Sequence, residues 1–260
     1  MDFQTFGVCE TPKVSYPEES PLSRQPPSVL PPPDEKRSYV RGMFTAIAPR
    51  YDLMNRLMTL GRDGIWRRTV VRLCALPRGG RLLDVATGTG DIAYEALRLD
   101  PTLHVVGLDL TREMMLYGQG KHPGLAFPFT EGDALALPFA DGTFDAACSG
   151  FMMRNVTDIR LAFAEQVRVV KPGGRVVCLE ITLPRTPVFG ALFRFYFFKL
   201  VPLLGGIISG RREAYTYLPH SALAFPRPAA LADIMAAAGL HDIHYRLAML
   251  GTVAVHWGTK

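Results

Sequence analysis

Short apolar runs alternate with amphipathic segments over the second two thirds of the chain. Residues 82–85, 105–108, 146–148 and 175–179 have the length and composition of buried strands. Segments with helical spacing of apolar residues follow them, at 92–98, 111–119 and 158–169. Repeated strand–helix alternation predicts a parallel sheet covered by helices on both faces, with ligands bound outside the carboxyl ends of the strands.

The C-terminal region departs from this strand–helix alternation. Residues 231–238 predict a helix, and residues 243–250 and 252–257 predict two strands around Gly251. Two consecutive strands without a helix between them indicate an antiparallel hairpin at the sheet edge.

Two regions ahead of the first strand do not follow the strand–helix alternation. Residues 1–36 are rich in proline, which disfavours a packed core, so we expect a disordered tail ahead of a domain spanning residues 37–260. Residues 40–58 predict helical pieces broken at Pro49, ahead of the first strand. In these pieces, Tyr51, Asp52 and Asn55 are candidates to face a ligand and cap its pocket.

The most apolar stretch is residues 188–208, which is long enough to raise a transmembrane helix. Arg194 and Lys199 would each cost about 2.5–3.5 kcal/mol near a bilayer centre, and Pro202 interrupts the pattern. We therefore favour a helical lid insertion, about residues 186–226, that covers the pocket and buries a greasy substrate tail, with shallow membrane contact. A helix that merely covers the sheet is the alternative.

Charge and cysteine spacing exclude some classes of function. The chain has 260 residues and a net charge of +5, with no basic run interleaved with aromatics, so we expect no nucleic-acid partner. Its four cysteines lack metal-ligand spacing, no metal motif is present, and two of them fall in apolar strands, as in a reducing compartment. A cytoplasmic location is expected.

A glycine turn follows the first strand. Asp84 ends the apolar run, and Gly88-Thr89-Gly90 follow before a helix, an arrangement that brings bare backbone N–H groups to a nucleotide-like ligand. The spacing Gly88-x-Gly90-x-x-Ala93 also satisfies the relaxed dinucleotide fingerprint, so the turn alone fits an NAD(P) enzyme as well.

Two further acidic positions follow, and only the second discriminates between the cofactors, because either one has a ribose. Asp109 ends the second strand, where a carboxylate can accept both ribose hydroxyls. Asp133 can accept a hydrogen bond from an adenine amino group while Ala134 packs on the ring. This order of motifs resembles the class I S-adenosylmethionine-dependent methyltransferases, which implies an α/β, doubly wound, mostly parallel seven-stranded sheet and S-adenosylmethionine as cofactor.

More specific motifs narrow the resemblance over about residues 40–260. They are Tyr51-Asp52-Leu53-Met54-Asn55, Arg154-Asn155-Val156, Lys171-Pro172-Gly173-Gly174, Leu179-Glu180 and Tyr215-x-Tyr217-Leu218. With them the chain resembles the ubiquinone/menaquinone biosynthesis C-methyltransferases, which methylate a ring carbon of a polyprenyl quinol precursor. Gly150 stands where this family usually has a serine that contacts the cofactor, and Ala86 stands at the first glycine of the loop.

The resemblance implies roles for the site residues. Thr89, Asp109, Asp133, Ala134 and the Gly150 position are assigned to cofactor binding, while Asp84, Gly88 and Gly90 shape the loop. Arg154 is expected to hold a substrate phenolate or orient a water, and Asn155 to fix the same oxygen. Tyr51 and Asp52 are candidates for closing the site over the sulfonium.

Two other functions stay open. A methyltransferase of another small or lipid-like aromatic substrate is one, and an NAD(P)-linked or non-catalytic cofactor-binding protein is the other. The sequence leaves the quinone ring, the prenyl length and a homodimer undecided.

Overall fold

Seven strands form one sheet in the order β3-β2-β1-β4-β5-β7-β6. The computed structural model of the protein describes residues 29–122 and 124–260. The strands are β1 Arg81–Val85, β2 His104–Asp109, β3 Phe129–Glu131, β4 Phe144–Gly150, β5 Val170–Ile181, β6 His241–Ala248 and β7 Val253–Thr259. Strands β1 to β5 are parallel, and β7 runs antiparallel to both β5 and β6. The predicted doubly wound sheet with an antiparallel edge hairpin is confirmed.

Helices cover both faces of this sheet. They are α1 Pro33–Ile47, α2 Tyr51–Thr59, α3 Asp63–Leu73, α4 Asp91–Leu99, α5 Arg112–Gly118, α6 Ile159–Val169, α7 Pro187–Phe195, α8 Val201–Ser209, α9 Arg212–Ala224 and α10 Pro228–Ala237. A short 3-10 turn, Ala48–Arg50, contains Pro49 and separates α1 from α2, as the sequence predicts.

Strand side chains divide the interior into two cores. On β1, Leu82 packs with helices α3 and α4, while its neighbour Leu83 packs with α6 and α10 on the opposite face. Ala146 and Ala147 of β4 divide in the same way. This alternation follows from the two-residue period of a strand, and burial on both faces explains why the strand sequences are continuously apolar.

The N-terminal boundary differs from the prediction. Helix α1 begins at Pro33, because proline suits the first helical position and Asp34 and Glu35 favour the positive end of the helix dipole. Residues 33–36 are therefore helical and do not belong to the predicted tail. Residues 1–28 of that tail lie outside the described residues.

The insertion between β5 and α10 packs on the N-terminal helices. Phe197, Val201 and Tyr215 of the insertion form a third apolar cluster with Ile47 of α1 and Met54 of α2. A five-residue π turn, Tyr196–Leu200, joins α7 to α8. The insertion is helical as predicted, and its buried side supports α1 and α2 from outside the sheet.

Candidate active site

A cavity of about 830 Å³, counting the open space at its mouth, lies at the carboxyl ends of β1, β2 and β4. Its wall includes three glycines, two carboxylates, and apolar and amide side chains from both halves of the chain. They include Gly88, Gly132, Gly150, Asp109, Asp133, Ala86, Leu110, Met114, Ala134, Phe151, Met152 and Asn155. Its position outside the carboxyl ends of parallel strands is where sheets of this kind bind nucleotide-like ligands.

The turn after β1 has a left-handed backbone at three positions. Ala86, Gly88 and Gly90 have φ values of 56°, 58° and 82°. Gly90 is the N-cap residue of α4, and a Cβ atom there would lie 2.8 Å from Phe127 Cζ, so this position admits only glycine. The turn therefore presents bare backbone beside the cavity, although Gly90 itself is not part of the cavity wall.

Asp109 fixes the cofactor loop from the neighbouring strand. Its Oδ2 atom accepts a hydrogen bond from Gly88 N at 2.8 Å, and its Oδ1 atom accepts one from Thr111 N at 2.8 Å. Burial raises the pKa of this carboxyl to about 6, although both backbone bonds favour the ionised form. Asp109 thus lines the cavity as a carboxylate that also shapes the turn.

Asp84 lies behind the turn and away from the cavity wall. Its Oδ2 atom accepts the Thr87 hydroxyl at 2.7 Å, and Cys148 Sγ lies 3.7 Å from Oδ1. Burial raises the pKa of Asp84 to about 7. These contacts agree with the predicted role of shaping the loop.

Asp133 and Ala134 line the opposite end of the cavity. Asp133 Oδ1 accepts Leu135 N at 2.9 Å, while Oδ2 pairs with Arg37 Nε at 2.8 Å. The sequence interpretation missed Arg37, because it placed this residue at the edge of the disordered tail.

Helix α1 covers this end of the cavity. Arg37, Arg41 and Thr45, four residues apart on one face, contact Asp133, Glu131 and Glu113 at 2.8, 3.0 and 3.1 Å respectively. Val40 and Phe44 of the same helix line the cavity. No residue of the insertion lines the cavity in the described part of the chain. Helix α1, supported by the insertion, covers the cavity in this structure, and the cover by residues 186–226 stays a prediction.

The two candidates on α2 have different surroundings. Tyr51 lines the cavity, and burial raises the pKa of its phenol, so it stays neutral and can donate a hydrogen bond. Asp52 is not part of the wall. Its Oδ1 atom accepts the Thr89 hydroxyl at 2.8 Å and its Oδ2 atom pairs with Lys121 Nζ at 2.6 Å.

Lys121, which the sequence interpretation missed, organises this corner. Its ammonium also contacts Asp91 Oδ1 at 2.7 Å and Thr89 Oγ1 at 2.9 Å. The charge of Asp52 is therefore compensated within the protein. Thr89, predicted to bind cofactor, holds α2 against the glycine turn through these contacts.

Arg154 and Asn155 follow β4 in a tight turn. Phe151 in this turn has φ of 59°, a costly conformation for a bulky residue, and its carbonyl accepts Arg154 Nη1 at 2.6 Å and Asn155 Nδ2 at 3.2 Å. Arg154 Nη1 also pairs with Glu180 Oε2 at 3.0 Å. Asn155 Oδ1 accepts the Tyr217 hydroxyl at 3.2 Å.

These contacts separate the two predicted catalytic residues. Asn155 lines the cavity, whereas Arg154 lies behind it with a side chain only 7% exposed and Glu180 fully buried beside it. Glu180 pairs with Arg154, and Tyr217 bonds to Asn155. Glu180 and Tyr217 belong to sequence motifs noted above, but these long-range contacts are not revealed by any local pattern.

Gly150 lines the cavity between the glycine turn and Phe151. A Cβ atom at Gly150 would lie 2.9 Å from Ile92 Cδ1, so a serine here would require Ile92 to move. The missing side chain keeps backbone accessible at the end of β4.

This donor set fits S-adenosylmethionine. Carboxylates at both ends match ribose hydroxyls and an adenine amino group, and Ala134, Leu110 and Met114 offer apolar surface to the ring. Gly132 adds bare backbone, since a Cβ there would lie 2.8 Å from Leu108 Cδ1. The fold and this site define the class I S-adenosylmethionine-dependent methyltransferases.

Comparison with solved structures supports the fold. A SAM-dependent methyltransferase from Thermotoga maritima aligns with a TM-score of 0.59 and 19% identity, covering 84% of this chain and 99% of that one. Phosphoethanolamine N-methyltransferase 2 of Haemonchus contortus, in complex with S-adenosyl-L-methionine, gives a TM-score of 0.54 and 15% identity over 75% of this chain and 52% of that one. At these identities the similarity concerns the fold.

Sequence comparison gives the family. The model of the ubiE/COQ5 methyltransferase family matches residues 33–260, so the chain belongs to that family and is an S-adenosylmethionine-dependent methyltransferase. A demethylmenaquinone methyltransferase of Roseiflexus sp. strain RS-1 is 51% identical over 233 residues, which cover 90% of this chain and 98% of the relative. The ubiquinone/menaquinone biosynthesis C-methyltransferase UbiE of Desulfotalea psychrophila is 45% identical over 85% of this chain and 90% of the relative.

The pKa of Asp109 predicts how cofactor affinity depends on pH. The ionised carboxylate accepts hydrogen bonds from hydroxyls and N–H groups, so binding favours the deprotonated form, and affinity is lost as the pH falls through about 6. We expect adenosylhomocysteine to bind about tenfold more weakly at pH 5 than at pH 7.5, measured by calorimetry. Asp109→Asn should bind weakly at both pH values; a wild-type affinity that does not change between them would contradict this assignment.

Proposed function

We propose that this methyltransferase transfers a methyl group to a ring carbon of a polyprenyl quinol precursor in quinone biosynthesis, either demethylmenaquinol or the equivalent benzoquinol of the ubiquinone pathway. The observation that carries the proposal is the composition of the cavity. It combines two carboxylates suited to an adenosyl group with an apolar wall that contains one amide, Asn155, and one neutral phenol, Tyr51. The names of the relatives agree with this substrate class.

Bound S-adenosylmethionine supplies a methyl group activated by a sulfonium. The chain's own residues have to hold the ring carbon in line with that methyl group and exclude water. Phe151 and Met152 provide apolar surface for a ring, and Asn155 and Tyr51 provide polar atoms within reach of a ring oxygen. Ionisation of that oxygen makes the neighbouring carbon nucleophilic.

Arg154 supports this arrangement as a positioning residue. An arginine is a poor base at neutral pH, and the Arg154 guanidinium is shared between Glu180 and the Phe151 carbonyl. It fixes the turn that carries Asn155 into the cavity. Its positive charge also favours a phenolate nearby, which is the electrostatic part of its predicted role.

A deletion strain tests the substrate. Removal of the gene is expected to leave a lipid quinone lighter by one methyl group, detected by mass spectrometry of extracted quinones. The wild-type gene should restore the methylated quinone, and Asn155→Ala should restore much less of it. Unchanged quinones in the deletion strain would contradict the proposed substrate and favour another small or lipid-like aromatic acceptor.

A thermal shift separates this function from an NAD(P)-linked one. Adenosylhomocysteine at 100 times its dissociation constant should stabilise the fold by about 2.7 kcal/mol and raise the melting temperature by several degrees. NADH at the same concentration should leave the melting temperature unchanged. The reverse pattern would favour a dinucleotide-binding protein.

The greasy substrate suggests where the enzyme works. A polyprenyl quinol resides in a membrane, so we propose a cytoplasmic enzyme that contacts the membrane peripherally.

A further inference from the structure

The four most exposed large apolar side chains of the described residues lie on or beside one helix. Val188 and Ile207, 84% and 72% exposed, lie on the long apolar helix Pro187–Ser209, which comprises α7, the π turn and α8. Leu250, 73% exposed, lines a surface groove with Val188. Leu60, 83% exposed, ends α2, which packs against α8.

The long apolar helix has one buried and one exposed face. Phe197, Val201 and Gly205 are buried against the third apolar cluster and α9. The exposed apolar residues recur at spacings of four, three, eight and four, which repeat one face of a helix: Val188, Leu192, Phe195, Leu203 and Ile207. In length and composition it is the one helix among the described residues that could cross a membrane. Its packed face shows that it lies along the protein surface instead.

Leu60 and Leu250 have a second unusual property. Both have left-handed backbone, with φ of 52° and 55°. Leu60 occupies the left-handed C-cap position of α2, where glycine usually ends a helix. A leucine at either position costs backbone strain and gains little burial, so folding alone does not account for it. Strain of this kind at exposed tips points to a function outside the folded chain.

The basic residues along the long apolar helix indicate the kind of partner that would bind its exposed face. Residues 181–212 contain five basic residues and no acidic one: Arg185, Arg194, Lys199, Arg211 and Arg212. Arg50 adds a cation at the C-terminal end of the helix, where its Nη1 atom donates to Ile208 O at 3.2 Å. Exposed apolar side chains bordered by cations suit the interface of a bilayer that contains anionic lipids.

We propose that the long apolar helix, Leu60 and Leu250 together form a membrane-docking face that inserts shallowly into an anionic bilayer. The proposal rests on the proposed function in that a bilayer-resident substrate gives the contact its use. Leu60 and Leu250 are the most exposed large apolar side chains among the described residues outside this helix, and they serve as additional anchors.

Vesicle binding tests the docking face without turnover. The full chain is expected to co-sediment with vesicles of equal parts phosphatidylglycerol and phosphatidylcholine, and more weakly with phosphatidylcholine alone or at high salt. The double variant Leu60→Gly/Leu250→Gly should lose about tenfold in vesicle affinity, because two apolar anchors are removed. Its melting temperature should be unchanged or higher, since glycine adopts a left-handed backbone readily.

Two measurements make the result decisive. The control variant Leu116→Ala/Leu161→Ala removes exposed leucines away from the long apolar helix and should bind vesicles like the wild type. Analytical sedimentation without lipid measures the oligomeric state, and so tests the alternative that a second copy of the chain covers this face. Wild-type binding by the glycine variant, no vesicle binding by the wild type, or a dimer that dissociates in the glycine variant would each overturn the proposal.

Activity keeps this proposal separate from the proposed function. A water-soluble quinol with a short tail does not require a membrane. The glycine variant should methylate it at the wild-type rate, so loss of vesicle binding with retained turnover supports both proposals. Vesicle binding by a chain that methylates no quinol would contradict the proposed function alone.

Discussion

Asp109→Ala is expected to weaken adenosylhomocysteine binding on the order of 100-fold. The substitution removes a carboxylate that lines the cavity and also the acceptor for Gly88 N and Thr111 N, which together fix the cofactor loop. Hydrogen bonds to a charged group contribute about 1.5–3 kcal/mol each, so the loss of two such contacts to ribose hydroxyls accounts for this size. Isothermal titration calorimetry measures it directly.

A matched carboxylate serves as the control for Asp109. Asp141 is exposed and pairs with Arg168 at 2.8 Å, away from the cavity. Asp141→Ala should therefore leave adenosylhomocysteine affinity unchanged. If Asp109→Ala bound the ligand within threefold of the wild type while remaining folded, the ribose-binding assignment of this carboxylate would be wrong.

The glycine turn and the sheet could be predicted because their signals are local. A strand buried on both faces is continuously apolar, and Gly88 and Gly90 follow it at fixed spacing. The carboxyl ends of β1, β2 and β4 meet at one edge of a parallel sheet, so Asp109, Gly150 and Asn155 had to lie near one another. Topology alone thus assembles most of the cavity.

The remaining contacts depend on tertiary structure. Lys121 pairs with Asp52, and Glu180 pairs with Arg154, across separations that carry no periodic signal. A tail rich in proline obscured the start of α1, so Arg37 was missed as a partner of Asp133. Each of these pairs joins opposite charges in or behind the cavity wall, and only the packed structure shows which residues form a pair.

The insertion illustrates the limit of composition. An apolar run beside a predicted pocket suggests a cover, and the same run also suits an outer surface. Phe197 and Tyr215 pack in one cluster with Met54, so one side of the insertion is buried against α2. The opposite side of α7 and α8 carries exposed apolar residues. The cavity is then covered by α1, whose Val40 and Phe44 face it.

Arg154→Ala should have the largest effect on stability. It leaves the Glu180 carboxylate fully buried without its cation, a change that typically costs about 3–5 kcal/mol. Chemical denaturation should show this loss, and turnover should fall strongly because the turn that carries Asn155 loses its anchor at the Phe151 carbonyl. Adenosylhomocysteine affinity should stay within a few-fold, because Arg154 does not line the cavity.

A double variant separates the loss of stability in Arg154→Ala from its loss of turnover. Arg154→Met/Glu180→Gln removes both charges and keeps similar volumes, so most of the lost stability should return. Turnover should not return, because a methionine neither bonds the Phe151 carbonyl nor favours a phenolate. Recovery of both properties in the double variant would mean that Arg154 only balances a buried charge. Recovery of stability alone would mean that the cation itself serves the methyl transfer, acting through the turn from behind the cavity wall.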